Sequence, residues 1–181
     1  MIILASSSPT RAKILSENGI EFQQISFNFD ESGISKTYPP NIYVQMVIKA
    51  KKEQFLKIYP NLKNVLIADS CVSCNDKILG KAKDECHARQ MLKLQSNNFA
   101  SVFSAFVFMG EKFEVINVSQ TQYKFDNFSD DEIDKYIKSG EYIGKAGAMM
   151  VESFNKNHII KQIGNTNNAR GLNIELLKAF L

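Results

Sequence analysis

Met1-Ile-Ile-Leu-Ala-Ser-Ser-Ser-Pro-Thr-Arg-Ala-Lys-Ile-Leu15 sets the architecture of this chain. Ile2 to Ala5 is a short apolar run of the kind that forms a buried strand, and three serines follow it directly. Ser8 suits a helix N-cap and Pro9 the first helical position, where a missing N–H costs nothing. Ala12, Ile14 and Leu15 give the helix an apolar face, and Asn18-Gly19 closes it. A strand passing through hydroxyls into a helix start turns backbone N–H groups and the positive end of the helix dipole toward one point, where an anion can sit. Arg11, in the first turn, adds a bidentate phosphate donor. An ordinary capped turn explains the same residues equally well, so on local chemistry both readings stand.

Outward from this unit, the pattern keeps alternating between strand and helix. Glu21 to Phe29 reads as a second strand running into Asp30-Glu31-Ser32-Gly33. Pro39-Pro40-Asn41 opens a helix reaching about Tyr59. Val65 to Ala68 is a compact apolar run, the mark of a buried central strand, ending at Asp69. Ile78 to Lys81 is a short extended piece, and Asp84 to Leu94 a helix with Ala88, Met91 and Leu92 on one face. Ser101 to Met109 and Phe113 to Phe125 are two strands split by Gly110-Glu111-Lys112. Ser129-Asp-Asp-Glu132 forms a capping box for a helix ending near Ser139-Gly140. A strand near His158 to Ile163, a turn through Gly164-Asn165 and a last helix from Asn173 complete the chain. The expected class is α/β.

The 181 residues fit one domain, 1–181, with no repeat, low-complexity tract or linker to divide it. A hydrophobic share of 44% and a charged share of 23% are those of a soluble globular protein. A net charge of +3 suits a small polyanion and is too weak for a surface that coats nucleic acid. No apolar stretch approaches the roughly 20 residues that span a bilayer, and the first residues lack a secretory pattern, so neither membrane nor nucleic-acid partners are expected and a cytoplasmic address is. Three cysteines, an odd number, argue against a disulfide framework. Cys71-Val-Ser-Cys74, with Cys86 and His87 further on, raises zinc or redox chemistry as a competing reading. In an extended stretch, however, positions i and i+3 point to opposite faces, and buried structural thiols are expected instead.

Three features go beyond scaffold needs. Asp69 stands at the end of a buried strand, where α/β sheets place ligands, although a turn aspartate looks the same. Lys51 falls within the apolar arc of its helix, with Tyr43, Met46, Val47, Ala50, Phe55 and Ile58, and an inward lysine calls for an anionic partner or a snorkelling path. Lys57 lies near the edge of the same arc. Asp30-Glu31 follows another strand. Carboxylates can hold a hard divalent cation and activate water, while cations neutralise phosphate oxygens. Gly80-Lys81-Ala82-Lys83 is too short for a Walker loop, and no G-x-S-x-G accompanies His87 or His158, which argues against serine hydrolase chemistry.

Leu4-Ala-Ser-Ser-Ser-Pro-Thr-Arg11, Asp30-Glu31-Ser32, Lys51, Ile67-Ala-Asp-Ser70, Leu79-Gly-Lys81, Lys145-Ala-Gly147 and Gly171-Leu172 occur in the order and spacing of the Maf family, which the chain resembles over essentially its whole length. The resemblance implies a nucleoside triphosphate pyrophosphatase that removes non-standard or modified nucleotides, in a family first associated with septum formation. Water attacks the α-phosphate, releasing monophosphate and pyrophosphate, with Mg2+, Mn2+ or Co2+ required. It also implies an elongated mixed central sheet flanked by helices, an active-site cleft between two lobes, and room for a homodimer. Asp69 matches the general base. Ser6, Arg11, Glu31, Lys51 and Lys81 match the phosphate and metal site, with Glu31 and Asp69 as metal ligands.

Thr10, Ser70 and Glu152 fall where base preference is set. One subgroup carries arginine, threonine and glutamine there, and another, preferring 7-methyl-GTP, carries tryptophan, glutamine and glutamate. Ser70 leans toward the first and Glu152 toward the second, which leaves the base open between dTTP or UTP and 7-methyl-GTP. Ala82 and Asn173 replace usual prolines. Asn97-Asn98-Phe99-Ala100 replaces a frequent Gly-Arg-x-His, and the lost arginine, expected near the cleft, motivates an alternative: a nucleotide-binding regulator of cell division with weak catalysis.

Overall fold

In the computed structural model, which describes residues 1–26 and 29–181, Ile2–Ala5 forms strand β1 and Pro9–Glu17 helix α1. They are followed by β2 (Phe22–Ile25), α2 (Pro40–Ile58), β3 (Val65–Cys74), β4 (Lys77–Leu79), α3 (Glu85–Gln95), β5 (Phe99–Met109), β6 (Glu114–Phe125), α4 (Asp130–Ser139), β7 (Ile159–Ile163) and the short α5 (Thr166–Arg170) and α6 (Ile174–Leu177). The strands make one sheet in the order β2-β1-β3-β5-β6-β7, with β4 beside β3. β1 is parallel to β2 and β3, and the remaining pairs are antiparallel. The class is α/β with a mixed sheet, as expected.

The sheet faces explain which helices meet which strands. Side chains alternate along a strand. Val65, Ile67 and Cys71 face a core built with Tyr43, Val44, Val47, Ile48 and Phe55 of α2. Leu66 and Ala68 face the other way, toward Ile14 and Leu15 of α1 and Ile174 and Leu177 of α6. A third core joins Val72 and Cys74 to Ala88, Met91 and Leu92 of α3 and Ile133, Tyr136 and Ile137 of α4. Leu4, Ile14, Leu15 and Ile48 are fully buried, each contributing about 1.5–3 kcal/mol relative to exposure. Two cores thus sandwich one half of the sheet and the third fills the other half, which gives the two lobes.

Several local expectations hold in detail. Ser8 caps α1 by accepting the Arg11 N–H, and Pro9 is the first helical residue. Ser129 and Glu132 cap α4 reciprocally. Asn173, at the expected start of the last helix, caps α6 by accepting the Leu176 N–H.

Others need correction. The strand from Val65 does not end at Asp69 but runs on to Cys74, because β5 pairs with it from Val65↔Met109 to Cys74↔Ala100. The strand after Glu21 closes at Ile25, and the part of that expectation on residues 27 and 28 lies outside the described residues. Ile58, placed on the buried arc of α2, is exposed at the helix's last position, as is Lys57 one residue before it. The five-residue α5 has no counterpart among the expected elements.

Candidate active site

On the side of β3 away from β5, β1 pairs only with Val65 and Leu66, and β4 only with Val72 to Cys74. Between these contacts Asp69 and Ser70 open onto a cleft of about 560 Å3. Asp69 is therefore exposed to ligand not by the end of its own strand but by the end of β1.

Strand alternation sends these two neighbours to different helices. Asp69 shares its face with Ile67 and Cys71, so it meets α2, where the Lys51 ammonium makes a close ion pair with Oδ2. Lys51 is the inward lysine that the helical arc indicated, only 14% exposed, and its ammonium also lies 4.0 Å over the Phe29 ring. Burial pulls its pKa below the ordinary lysine range, against the opposing pull of Asp69. The second carboxylate oxygen, Oδ1, accepts the Ser70 N–H at 2.6 Å. Ser70 faces α1, and its Oγ receives Arg11 Nη2 at 3.2 Å.

Arg11 is held on three sides. Nε donates to the Gly171 carbonyl at 2.9 Å, Nη1 to Ser6 Oγ at 3.3 Å and Nη2 to Ser70 Oγ, while Asp69 Oδ1 lies 3.9 Å from Nη2. A guanidinium has five N–H groups. Among the described residues three are so engaged, which leaves one on each terminal nitrogen, the pair that a phosphate accepts bidentately. The helix start offers less than its sequence promised. The Arg11 N–H goes to the Ser8 cap and the Ser8 N–H to Ser6 Oγ at 3.2 Å, while Pro9 has none to give. What this helix start presents to the cleft is thus chiefly the Arg11 side chain.

Across the cleft, Lys81 forms an isolated bridge with Ala146, and Gly147 N–H donates to the Gly80 carbonyl at 2.8 Å. Lys81 and Lys145 therefore share one rigid rim. All nine residues singled out in the sequence, Ser6, Thr10, Arg11, Glu31, Lys51, Asp69, Ser70, Lys81 and Glu152, line this single cleft. Glu31 is exposed at its mouth, near enough to act on its neighbours. Burial pushes the Tyr43 phenol up to about 12, with the charges of Glu31 and then Asp69 adding to the effect.

Two charged cleft residues lie outside the set read from the sequence. Arg170, at the end of α5, places Nε 2.7 Å from Glu152 and Nη1 2.8 Å from Glu17. Glu152 is thus not a bare carboxylate but half of an ion pair. The other is Lys145, part of a motif but without an expected role. The signal for Arg170 is available only as a cation before Gly171, whose φ of +116° ends α5.

The segment Asn97 to Ala100 does not line the cleft. Asn97 adopts φ of +53°, tolerable for asparagine where glycine is usual, and Asn98 bonds Asn75 and the Leu94 carbonyl. The segment that motivated the weak-catalysis alternative therefore stands outside the cleft lining. The cysteines divide as strand geometry requires, Cys71 into one core and Cys74 into another, with Cys86 exposed. Burial, with Asp69 nearby, pushes the Cys71 thiol up to about 12, so it is no nucleophile at neutral pH.

The donor set fits a hard divalent cation in one way. Glu31 and Asp69 are the carboxylates beside the cationic wall, and among the described residues no group of three or more His, Cys, Asp or Glu side chains converges. Two carboxylates without a full protein cage suit an ion that shares its shell with substrate phosphates and water, the habit of Mg2+.

The model of the Maf family, described as Maf-like protein, matches residues 1–181. A protein from Campylobacter jejuni subsp. jejuni serotype O:23/36 is 43% identical over the full length of both chains. One from a Nitratiruptor species is 39% identical over 98% of this chain and 96% of its own. One from Helicobacter pylori, strain J99, is 33% identical over 96% of this chain and 91% of its own. All three bear the name nucleoside triphosphate pyrophosphatase. With the family pattern matched from end to end and its ordered motifs gathered into one cleft, the chain belongs to the Maf family.

Proposed function

We infer that this protein hydrolyses nucleoside triphosphates to the monophosphate and pyrophosphate. The observation that carries this reading is Asp69 set between Lys51 and Arg11 at the open edge of β3, with Lys81 on the facing rim. Five cationic side chains of the cleft face three carboxylates, a balance that selects a polyanionic ligand.

Each residue then has a part. Arg11 receives a phosphate group through its two remaining N–H bonds, with Ser6 fixing one of its nitrogens. Lys51 and Lys81 neutralise phosphate oxygens from opposite rims, and Lys51 also holds the Asp69 carboxylate in an ion pair. Asp69 takes the proton of the water that attacks the α-phosphorus, a contribution of about 10²–10⁴ in rate for a placed general base. Glu31 and Asp69 are the residues that would hold a divalent cation, Mg2+, Mn2+ or Co2+. Bound there, it would neutralise phosphate charge and lower the pKa of water.

Thr10, Ser70 and Glu152 stand nearest to a choice of base. Glu152 favours a base edge that presents donors and disfavours one presenting only acceptors, its charge partly balanced by Arg170. The base stays between dTTP or UTP and 7-methyl-GTP. A house-cleaning role in the cytoplasm and a homodimer belong to this reading through the family resemblance. The three cysteines are free thiols, in keeping with a reducing compartment. Among the described residues no helix is long and apolar enough to cross a membrane.

The test is a pyrophosphate-release screen over dTTP, UTP, 7-methyl-GTP and the standard triphosphates with metal present, run beside Asp69→Asn. The reading expects turnover of at least one nucleotide and its loss in a variant that still folds. Orthophosphate as the first product, or full activity in the variant, sinks it. Tight binding of a triphosphate with no turnover across the panel replaces it with the regulatory alternative.

A further inference from the structure

Behind the cleft wall runs a chain of hydroxyls whose direction is fixed. Ser104, buried on β5, does not line the cleft. Its Oγ lies 2.7 Å from the Asn168 carbonyl and 2.7 Å from Ser70 Oγ. A serine owns one hydrogen, and a carbonyl can only accept. Ser104 therefore donates to Asn168 and must accept from Ser70. That spends the Ser70 hydrogen and turns its lone pairs toward Arg11 Nη2, 3.2 Å away. Each carbonyl also receives one other N–H at 2.9 Å, so distance decides: among the described residues the competing acceptor for Ser70, the Gly171 carbonyl, lies at 3.5 Å, against 2.7 Å for Ser104. The far end is anchored too. Asn168 Nδ2 donates to Thr121 Oγ1 at 3.0 Å, and Thr121 donates to the Asn165 carbonyl at 2.6 Å.

We propose that Ser104 is a positioning residue for the phosphate-binding arginine, acting through Ser70 to keep the Arg11 guanidinium turned to the ligand. This rests on the reading of the cleft as a triphosphate site. With Ser104 in place, Ser70 is a permanent acceptor, and Nη2 is held 3.9 Å from Asp69 instead of closing onto it. Without the Ser104 hydroxyl, the Ser70 hydrogen turns to its remaining acceptor, the Gly171 carbonyl, and Ser70 Oγ loses the anchor on β5 that fixes it under Arg11. Nη2 then exchanges a neutral acceptor for the Asp69 carboxylate. That exchange takes an N–H from the phosphate and charge from the base together. A consequence for Ser70 is that it offers the substrate no hydrogen, so its influence on substrate choice passes through Arg11.

The test uses Ser104→Ala, Ser104→Thr and Ser104→Val, with Ser70→Ala and the Ser104→Ala/Ser70→Ala double variant, each checked by thermal melting. Two readouts are taken: KM and kcat for the preferred triphosphate, and the Kd of inorganic pyrophosphate by calorimetry. Ser104→Ala and Ser104→Val are expected to raise both KM and the pyrophosphate Kd about three- to tenfold, the range of one lost hydrogen bond, with a smaller change in kcat. Threonine and valine add the same bulk, so Ser104→Thr is expected to bind as the wild type does. In the Ser70→Ala background, Ser104→Ala is expected to cost nothing further. Equal behaviour of the threonine and valine variants, or full additivity with Ser70→Ala, overturns the proposal. If Ser104→Ala does not fold, Ser70→Ala alone must raise the pyrophosphate Kd by the same factor, and unchanged binding overturns the proposal equally. A wild type that binds pyrophosphate but releases none from any triphosphate defeats the functional reading and leaves the binding arm to decide this one. A wild type that does not bind pyrophosphate overturns both.

Discussion

Replacing Gly147 by alanine strikes the rim that carries Lys81 and Lys145, and the structure sets the size of the effect. Gly147 has φ of +64°, and a Cβ there would lie 2.9 Å from Val72 Cγ1, 3.1 Å from Val72 Cβ and 3.5 Å from Leu79 Cβ. A left-handed backbone costs an L-residue about 1–2 kcal/mol. Forcing a methyl into a packed core adds about 1–3 kcal/mol, and here the nearer neighbour is a β-branched strand residue with little freedom to turn. The sum is about 2–5 kcal/mol, which for a chain of this length lowers Tm by about 4–20 °C. Urea unfolding with linear extrapolation measures the free energy, and a thermal scan the shift. Because Gly147 N–H holds the Gly80 carbonyl and Gln95 Nε2 donates to the Gly147 carbonyl at 2.6 Å, any yielding of the backbone displaces Lys81 as well. A fall in kcat/KM is therefore expected in the folded fraction. Val72→Ala removes the closest methyl but leaves the backbone strain. The double variant should recover about 1 kcal/mol relative to the sum of the single changes. A Gly147→Ala protein within about 0.5 kcal/mol of the wild type refutes both the packing and the strain.

Lys51 gives the pH dependence its sign. Burial lowers its pKa, so the folded state disfavours its charged form; that destabilisation is fully present below the lowered pKa and is relieved as pH rises through it. Polyphosphate binding needs the ammonium, so kcat/KM is expected to fall on an alkaline limb below the ordinary lysine range. Lys51→Arg should move that limb upward, and an unmoved limb assigns it to another group. Chelation with EDTA is expected to stop pyrophosphate release, restored by Mg2+, Mn2+ or Co2+; full activity in chelator removes Glu31 and Asp69 as metal ligands. Arg170→Met should change the ratio of kcat/KM between the two best triphosphates about three- to tenfold, since Glu152 loses its charged partner. An unchanged ratio would separate Glu152 from base choice.

What can be read from the chain is what local chemistry decides. Ile2 to Leu15 announces a βα unit because strand, cap, proline and apolar face all agree there, and Ser129 to Glu132 announces a helix for the same reason. Lys51 is legible because helical periodicity compares an inward lysine with its neighbours. What escapes depends on pairing over distance. The extension of β3 past Asp69 is imposed by β5, beyond an intervening hairpin and helix, against two polar residues that look like a strand end. Arg170 and Ser104 reach the site only when α5 and β5 are brought against β3, and nothing in Ala-Arg-Gly or Phe-Ser-Ala marks either in sequence. The anion site itself changes character. Its helix amides are largely spent on capping, and its strength lies in one arginine held on three sides.

The central claim is that water attacks the α-phosphorus in the cleft between Arg11, Lys51 and Asp69. Hydrolysis of the preferred triphosphate in 18O-labelled water tests it in one step, with the products separated and weighed by mass spectrometry. The account predicts one 18O atom in the nucleoside monophosphate and none in the pyrophosphate. Label in the pyrophosphate, or release of labelled orthophosphate, contradicts it.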